Sequence, residues 1–302
     1  MQKIWINDHL VPETQAKISI FDRGFLYGDG VYETVRVYEG KIFRAEAHWK
    51  RLRKSLKGIH LQIPWSNLNL TEACLKTVQA NGLKECLTRI TITRGRGEVG
   101  YDPKSCQNPS LVIFASPIRK DLLHLWLNGV KISVVPVRRN HRKSLNPALK
   151  TINCLNGILA KIESLKENAF EGVFLNLEEN LAEGTISNIF IIKNRILKTP
   201  SLECGILDGV TRGAVIEAAK KQKIKVEETK INVSELLRAD EIFLTSTTME
   251  IMPVIQVDKK PIRNSAPGPI SKILHKTLRS LIQKELSLSK EFLNLSLDVG
   301  GN

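Results

Sequence analysis

The first half of the chain alternates apolar and polar residues as a half-buried strand does. In VYETVRVY, Val31–Tyr38, every second residue is a candidate for a core face, and Glu39-Gly40 supplies a hairpin turn into Lys41–Arg44. Further strands are expected at Lys3–Ile6 and Lys17–Phe21. The period then changes. Trp49, Leu52, Leu56 and Ile59 recur at helical spacing and predict a helix from Ala45 to Ile59, and a second helix is expected near Leu70–Ala80, ending at Asn81-Gly82. Two apolar strands follow, Leu87–Thr93 and Leu111–Ala115, and Pro117–Asn128 reads as a connector.

Beyond it a second strand set begins at Val130–Val137, and Ile152, Leu155, Leu159 and Ile162 mark a helix. Strands are expected at Gly172–Leu177, Asn188–Ile192 and Ile196–Thr199. Asp208 opens a helix to about Gln222, and strand Lys225–Lys230 leads to a short helix at Val233–Leu237. Strand Glu241–Ser246 precedes a Pro-rich turn region and a last helix from Pro269 to about Lys284; the tail after Ser287 is expected to be peripheral. Strands interleaved with helices make this a mixed α/β (α+β) chain, with a smaller N-terminal domain at 1–117, a connector at 118–129 and a larger domain at 130–302.

Composition narrows the class. At 302 residues, with 42% hydrophobic and 25% charged residues, the chain can bury two cores and is not disordered. The N-terminus MQKIWINDHLVPETQ lacks a basic stretch leading into an apolar run, and no segment is long enough to span a membrane. Five cysteines (Cys74, Cys86, Cys106, Cys154, Cys204), an odd number without CxxC spacing, argue against a metal site and a disulfide framework and point to the cytoplasm. The sequons at Asn69, Asn232 and Asn294 are then chance matches. The net charge of +14 raises nucleic acid as a partner. However, the basic residues are scattered, the groups Arg138-Arg139 and Arg142-Lys143 are short, and aromatics are only 6% of the chain. A solvated basic surface is the better reading, with neither nucleic acid nor membrane as partner.

Gly95, Gly97 and Gly100 in TRGRGEVG spell GxGxxG after a predicted strand. A dinucleotide fingerprint also needs a helix directly behind it and an acid about 20 residues on. Tyr101-Asp102-Pro103 starts no long helix and position 120 is a lysine, so a Gly-rich loop at the edge of a site is expected instead.

Four segments each offer something that an anionic, electron-withdrawing cofactor needs. Gly209, Val210 and Thr211 open a helix, whose free N–H groups and dipole suit a phosphate, although any capped helix has the same look. Ser246-Thr247-Thr248 ends a strand with hydroxyl and N–H donors for a phosphate or a carboxylate, or simply caps a turn. His48, Arg51 and Ser55 share one helix face, where Arg51 can grip a phosphate with two bonds or remain solvated. Lys150, in NPALKTINCLNGILAK, stands where an extended segment meets an apolar helix, a setting in which an amine can lose its proton and form a Schiff base. Beyond these four, Glu183, in LAEGTISNIF between two expected strands, is a carboxylate able to keep a pyridine nitrogen protonated.

Taken in order, ISIFDRGFLYGDGVYETVRVYEGKIF, HWKRLRKS, TRGRGEVGYDP, NPALKTINCLNGILAK, LAEGTISNIF, GILDGVTR and STTMEIMPV closely resemble the class IV aminotransferases, the fold-type IV pyridoxal phosphate family, over residues 2–283. The resemblance implies a small N-terminal α/β domain, a larger C-terminal domain with a barrel-like strand set, and a homodimer with the site between domains. It implies pyridoxal 5'-phosphate as cofactor, amino acids and 2-oxo acids as substrates, and Lys150 as the Schiff-base lysine and general base. By the same resemblance Glu183 would partner the pyridine nitrogen. Arg51, Thr211 and Thr247, with the backbone of Val210 and with Ser246 beside them, would hold the phosphate. Leu207 would pack on the cofactor ring, Ser187 and Asn188 would support Glu183, and Tyr32, Arg89 and Thr248 would face the substrate.

The family members differ in substrate. TRGRGEVGYDP with Arg89 is similar to the L-branched-chain enzymes, whose matching arginine accepts a distal carboxylate. The Arg-x-His that the D-amino-acid enzymes carry is missing. GDGVYE and TSTTMEIMPVI are nearer the D-enzymes, TPSLECGILDGVTR resembles aminodeoxychorismate lyases, and Cys154 stands where many members have a tyrosine. The expected reaction is amino transfer between a branched-chain L-amino acid and 2-oxoglutarate. D-amino-acid transamination, the lyase reaction and a non-enzymatic basic binding protein are the alternatives.

Overall fold

The N-terminal strands pair antiparallel throughout. They are β1 (Lys3–Ile6), β2 (His9–Pro12), β3 (Gly30–Tyr38), β4 (Lys41–Ile42), β5 (Cys86–Thr93) and β6 (Ser110–Pro117), in the order β2-β1-β6-β5-β3-β4. A short helix α1 (Arg23–Tyr27) precedes β3, and α2 (Ala45–Gly58) and α3 (Asn67–Ala80) pack on the sheet. Alternation decides which face they cover. Val31, Val35 and Val37 of β3 and Ile90 and Ile92 of β5 are buried against Trp49, Leu52, Leu56, Leu70 and Cys74 of the helices. The opposite face carries Tyr32, Thr34 and Arg36, paired in register with Thr91, Arg89 and Leu87. The computed structural model describes residues 1–262, 268–289 and 291–294. The six strands form one compact unit, Met1–Ile118 together with Leu149–Cys154.

The second unit comprises Arg119–Ala148 and the chain from Leu155 onward. Its elements are α4 (Leu122–Asn128), β7 (Val130–Val134), α5 (Leu155–Lys166), β8 (Glu171–Leu175), β9 (Leu181–Gly184), β10 (Asn188–Lys193), β11 (Ile196–Pro200), α6 (Val210–Lys221) and β12 (Val226–Thr229). They continue with α7 (Val233–Leu237), β13 (Glu241–Ser246), β14 (Glu250–Val257), β15 (Lys260–Pro261), α8 (Pro269–Leu286) and α9 (Glu291–Asn294). Among the described residues nine strands form one mixed sheet, β12-β11-β10-β13-β14-β7-β8-β9 with β15 on β14. The sheet curls until β9 returns against β10, the barrel-like set expected. Strands β8, β9 and β10 are buried on both faces, which is why they read as continuous apolar runs without alternation.

Several expectations change. Lys17–Phe21 is no strand: it has no ladder partner and exposes Ile18, Ile20 and Phe21. The stretch read as a connector holds the last residue of β6, Pro117, and the whole of α4. Glu183 lies within β9 rather than between strands. The Pro-rich turn region contains β14, whose ladder to β7 starts only at Val254, so Pro253 lies outside it. Residues 149–154 pack with the first unit although they follow the start of the second. The tail beyond residue 294 and Asn294's side chain lie outside the described residues.

Candidate active site

β4 pairs only with Val37 and Tyr38, leaving the other end of β3 with an open edge. The Lys150 segment takes that edge. Tyr32 N–H donates to Lys150 O at 2.9 Å, Ile152 N–H donates to Gly30 O at 3.0 Å, and Val31 bridges Thr151. Lys150 N–H in turn donates to Ser55 Oγ of α2 at 2.9 Å. The lysine backbone is therefore fixed on both sides, and only its four-carbon stem remains to move. Its Nζ lies 4.2 Å from the centroid of the Tyr32 ring, and the guanidinium carbon of Arg89 lies 3.8 Å from the same centroid. Both cations are attracted by the ring's π-cloud. Lys150, Tyr32 and Arg89 are thus brought together, with Arg89 on the non-core face of β5. Cys154 is half-buried at the end of this segment, its thiol turned to Thr151 O at 3.8 Å.

On the core side of β3 stands an acid among valines. Glu33 is fully buried and accepts Arg51 Nε at 2.7 Å, Arg51 Nη2 at 2.8 Å and His48 Nδ1 at 3.0 Å. Burial alone would raise its pKa, but the Arg51 charge and hydrogen bonds, with those of His48, hold the carboxyl well below the usual range. Burial likewise pushes His48 down against the pull of Glu33, so His48 is neutral near pH 7 and donates from Nδ1. Ser55 Oγ–H donates to Arg51 O, so the two site residues on α2 are linked by backbone as well. The one-face reading of His48, Arg51 and Ser55 missed Glu33. The signal was there, as Glu33 has the same parity in VYETVRVY as the core residues Val31, Val35 and Val37.

In the second unit Glu183 is buried near the end of β9. Its Oε1 accepts Arg139 Nε at 2.8 Å and its Oε2 accepts Leu207 N–H at 2.9 Å, with Asn188 Nδ2 at the limit of 3.5 Å. Arg139 is itself aimed by Asn156 Oδ1 at 3.0 Å. Asn188 donates to Leu207 O at 2.9 Å, so Glu183, Asn188 and Leu207 form one cluster. Ser187 faces away. Its hydroxyl donates to Glu171 Oε1 at 2.9 Å, and Ile186 N–H reaches the same oxygen at 2.8 Å. Burial pushes Glu171 up despite these bonds. Ser187 thereby pins the turn between β9 and β10 and does not reach the Glu183 carboxylate directly. Arg139, Asn156 and Glu171 were not legible as site residues.

The start of α6 meets the same cluster. A Cβ built on Gly209 would fall 2.0 Å from Asn188 Oδ1, so only glycine lets the backbone approach this closely. Among the described residues no side chain caps α6, which leaves the first-turn N–H groups of Val210 and Thr211, with the buried Thr211 hydroxyl, to bind an anion. α6 packs on β13, and Asn188 is paired with Thr245, one residue before Ser246. Ser246, Thr247 and Thr248 form the half-buried turn at that strand end, where Ser246 Oγ accepts Met249 N–H at 3.2 Å. The GxGxxG segment leads only into a three-residue helix at Pro103–Ser105, which excludes a dinucleotide site there. Arg23 ties this loop down through Gly100 O and Tyr101 O.

The first unit thus supplies a placed amine beside an aromatic ring. The second supplies a buried carboxylate gripped by an arginine, and an uncapped helix start. These donor sets fit pyridoxal phosphate, which needs a lysine, an acid for its ring nitrogen and an anion site for its phosphate. Comparison with known proteins gives the same class. The chain belongs to the class IV amino-transferases, whose family pattern matches residues 30–257, and it is therefore a pyridoxal-phosphate-dependent transaminase. It is 39% identical over 282 residues to a Methanocaldococcus jannaschii protein provisionally assigned as a branched-chain-amino-acid aminotransferase, covering 93% of this chain and 97% of that one. It is 35% identical to a Listeria monocytogenes D-alanine aminotransferase (90% and 93% covered) and 34% identical to the aminodeoxychorismate lyase of Bacillus subtilis (85% and 87% covered). The crystal structure of a branched-chain aminotransferase from Thermoproteus uzoniensis with norvaline superimposes with a TM-score of 0.87 at 33% identity, covering 97% of each chain. Among the described residues no group of three or more His, Cys, Asp or Glu can hold a metal ion, and no helix is long and apolar enough to cross a membrane.

Proposed function

We propose that the chain transfers the amino group between a branched-chain L-amino acid and 2-oxoglutarate, using pyridoxal phosphate carried on Lys150. The observation that carries the substrate assignment is the guanidinium of Arg89 against the same Tyr32 ring as the Lys150 amine. A cation at that place suits the distal carboxylate of glutamate or 2-oxoglutarate, while the Tyr32 ring offers an apolar surface to leucine or valine.

Bound there, the cofactor supplies the electron sink that makes the substrate Cα acidic. The protein's own groups do the rest. Lys150 Nζ would take the Cα proton, and its fixed backbone would keep the amine within reach. Glu183 would face the ring nitrogen, and its two donors Arg139 and Leu207 N–H keep the carboxylate aimed. Val210, Thr211, Ser246 and Thr247 hold the phosphate, Arg51 adds a guanidinium that Glu33 orients, and Thr248 meets the substrate carboxylate.

A panel of L- and D-amino acids with 2-oxoglutarate, pyruvate or aminodeoxychorismate tests the assignment. Activity confined to D-amino acids or to the lyase reaction would overturn it. Arg89→Ala should weaken kcat/KM for L-glutamate about ten- to a hundred-fold more than for L-leucine, since only the acidic substrate loses a charge partner. Equal losses would make Arg89 structural.

The same reading includes a homodimer. Leu155, Ile158, Leu159, Ile162 and Leu165 form an apolar stripe along α5, each between 46% and 59% exposed, wider than a lone helix in water keeps. A second copy covering this stripe predicts that sedimentation velocity finds a dimer, and that Ile162→Glu shifts it toward monomer. A monomeric parent protein would end this part of the proposal.

A further inference from the structure

The turn that carries Ser246, Thr247 and Thr248 is closed by a residue that its backbone does not favour. Ser246 and Glu250 are directly paired across β13 and β14, so Thr247–Met249 form a three-residue loop. Glu250, the next residue, has φ +57°. That is the left-handed region, where glycine is the unstrained choice. A glutamate held there is sustained by its surroundings.

Those surroundings are built around its carboxylate. Glu250 is buried, and its Oε2 meets His275 Nε2 at 2.9 Å while Oε1 accepts Arg279 Nη1 at 3.2 Å. Both partners come from α8, one turn apart, and both are at most slightly exposed. The His275 ring lies against Trp126 of α4, centroids 4.8 Å apart. Arg279 Nη2 donates to Phe292 O of α9 at 3.0 Å, and its guanidinium carbon lies 4.1 Å from the Phe292 ring centroid. Three helices are thereby fastened to one carboxylate at the base of the turn. None of these groups lies among those assigned to the chemistry.

We infer that Glu250 is a positioning residue: through His275 and Arg279 it clamps the Ser246–Thr248 turn to α8, holding its donors in the geometry that grips the cofactor phosphate. This rests on the phosphate-binding reading of that turn. A free three-residue loop samples several conformations, and a shift of about 1 Å in a set of anion donors is enough to lose much of their grip. The left-handed strain at Glu250 is then the cost of placing a carboxylate where only it can reach both α8 side chains.

Two variants test this. Glu250→Gly relieves the backbone but removes the clamp; Glu250→Gln keeps the strain, its oxygen accepting from Arg279 and its NH2 donating to the His275 tautomer whose Nε2 accepts. The apoproteins are titrated with pyridoxal phosphate by fluorescence and then with inorganic phosphate as competitor, and amide exchange at Thr247–Met249 is followed. Glu250→Gly should weaken both ligands about ten- to a hundred-fold and speed exchange in the turn, while Glu250→Gln stays within about threefold of the parent. Parent-like affinity for both ligands in Glu250→Gly would overturn the clamp alone. A parent protein that takes up no pyridoxal phosphate would overturn the cofactor reading itself, and the clamp with it. A Glu250→Gln protein as weak as Glu250→Gly would also count against the clamp, since the hydrogen bonds would then not be what holds the turn.

Discussion

Lys150→Ala is expected to fold as the parent does, yet to lose transaminase turnover by about three orders of magnitude or more. Alanine keeps the backbone bonds to Tyr32 and Ser55, since these involve the peptide group and not the side chain. What disappears is the amine beside Tyr32 that is proposed to carry the cofactor and to take the Cα proton. Arg89 on the same ring does not replace it, because it offers a guanidinium and not an amine. Borohydride reduction of the holoenzyme followed by peptide mapping should find the pyridoxyl group on Lys150, and finding it on another lysine would end the assignment. Arg51 separates attachment from anchoring. Arg51→Ala is a poor probe, because it strands the buried Glu33 carboxylate and costs about 3–5 kcal/mol of stability. Arg51→Lys keeps a charge for Glu33 but loses the two-pronged fork, so cofactor affinity should fall about ten- to a hundred-fold and activity should return with excess pyridoxal phosphate. Lys150→Ala should not be rescued in this way.

The contrast between these two residues shows how far the sequence alone reaches. Lys150, Arg51, Glu183 and Thr211 were legible because family motifs mark them, and the helices around Trp49 and at Val233–Leu237 because apolar spacing marks them. What stayed hidden depends on pairing between distant segments. Arg139 is found only through Glu183, 44 residues away, and Glu171 only through Ser187. β14 escaped because EIMPVIQV is buried nearly throughout and shows no alternation. KISI, Lys17–Ile20, alternates and is no strand, since periodicity makes a strand only where an edge is open to receive it. The open edge of β3 went instead to the Lys150 segment, whose sequence has little strand character. That placement of the lysine is a property of the sheet rather than of the residues around it.

Glu183→Gln carries the other large expected effect, and the geometry makes it more severe than the loss of a charge. Both carboxylate oxygens already face donors, Arg139 Nε on one side and Leu207 N–H on the other. A carboxylate satisfies both, whereas an amide has one oxygen and must turn its NH2 group toward a donor on one side. One half-buried donor is then left unpaired, at a cost of about 1 kcal/mol, and the cluster with Asn188 and Leu207 loosens. The charge that keeps the pyridine nitrogen protonated is lost as well, so the substrate Cα becomes less acidic. The phosphate donors on α6 and in the Ser246–Thr248 turn are untouched, so Glu183→Gln should still bind pyridoxal phosphate within about tenfold of the parent. The half-reaction with L-leucine should slow about a hundredfold or more. Cα-deuterated L-leucine should then show a larger isotope effect than in the parent enzyme, because proton abstraction has become the slow step. Asn188→Ala gives the complementary case: it frees the Leu207 loop but leaves the Glu183 carboxylate in place, so its loss should be smaller and its isotope effect close to the parent's. An unchanged half-reaction rate in Glu183→Gln would show that another group keeps the ring nitrogen protonated, and that the Arg139–Glu183 pair serves only to hold β9 in place.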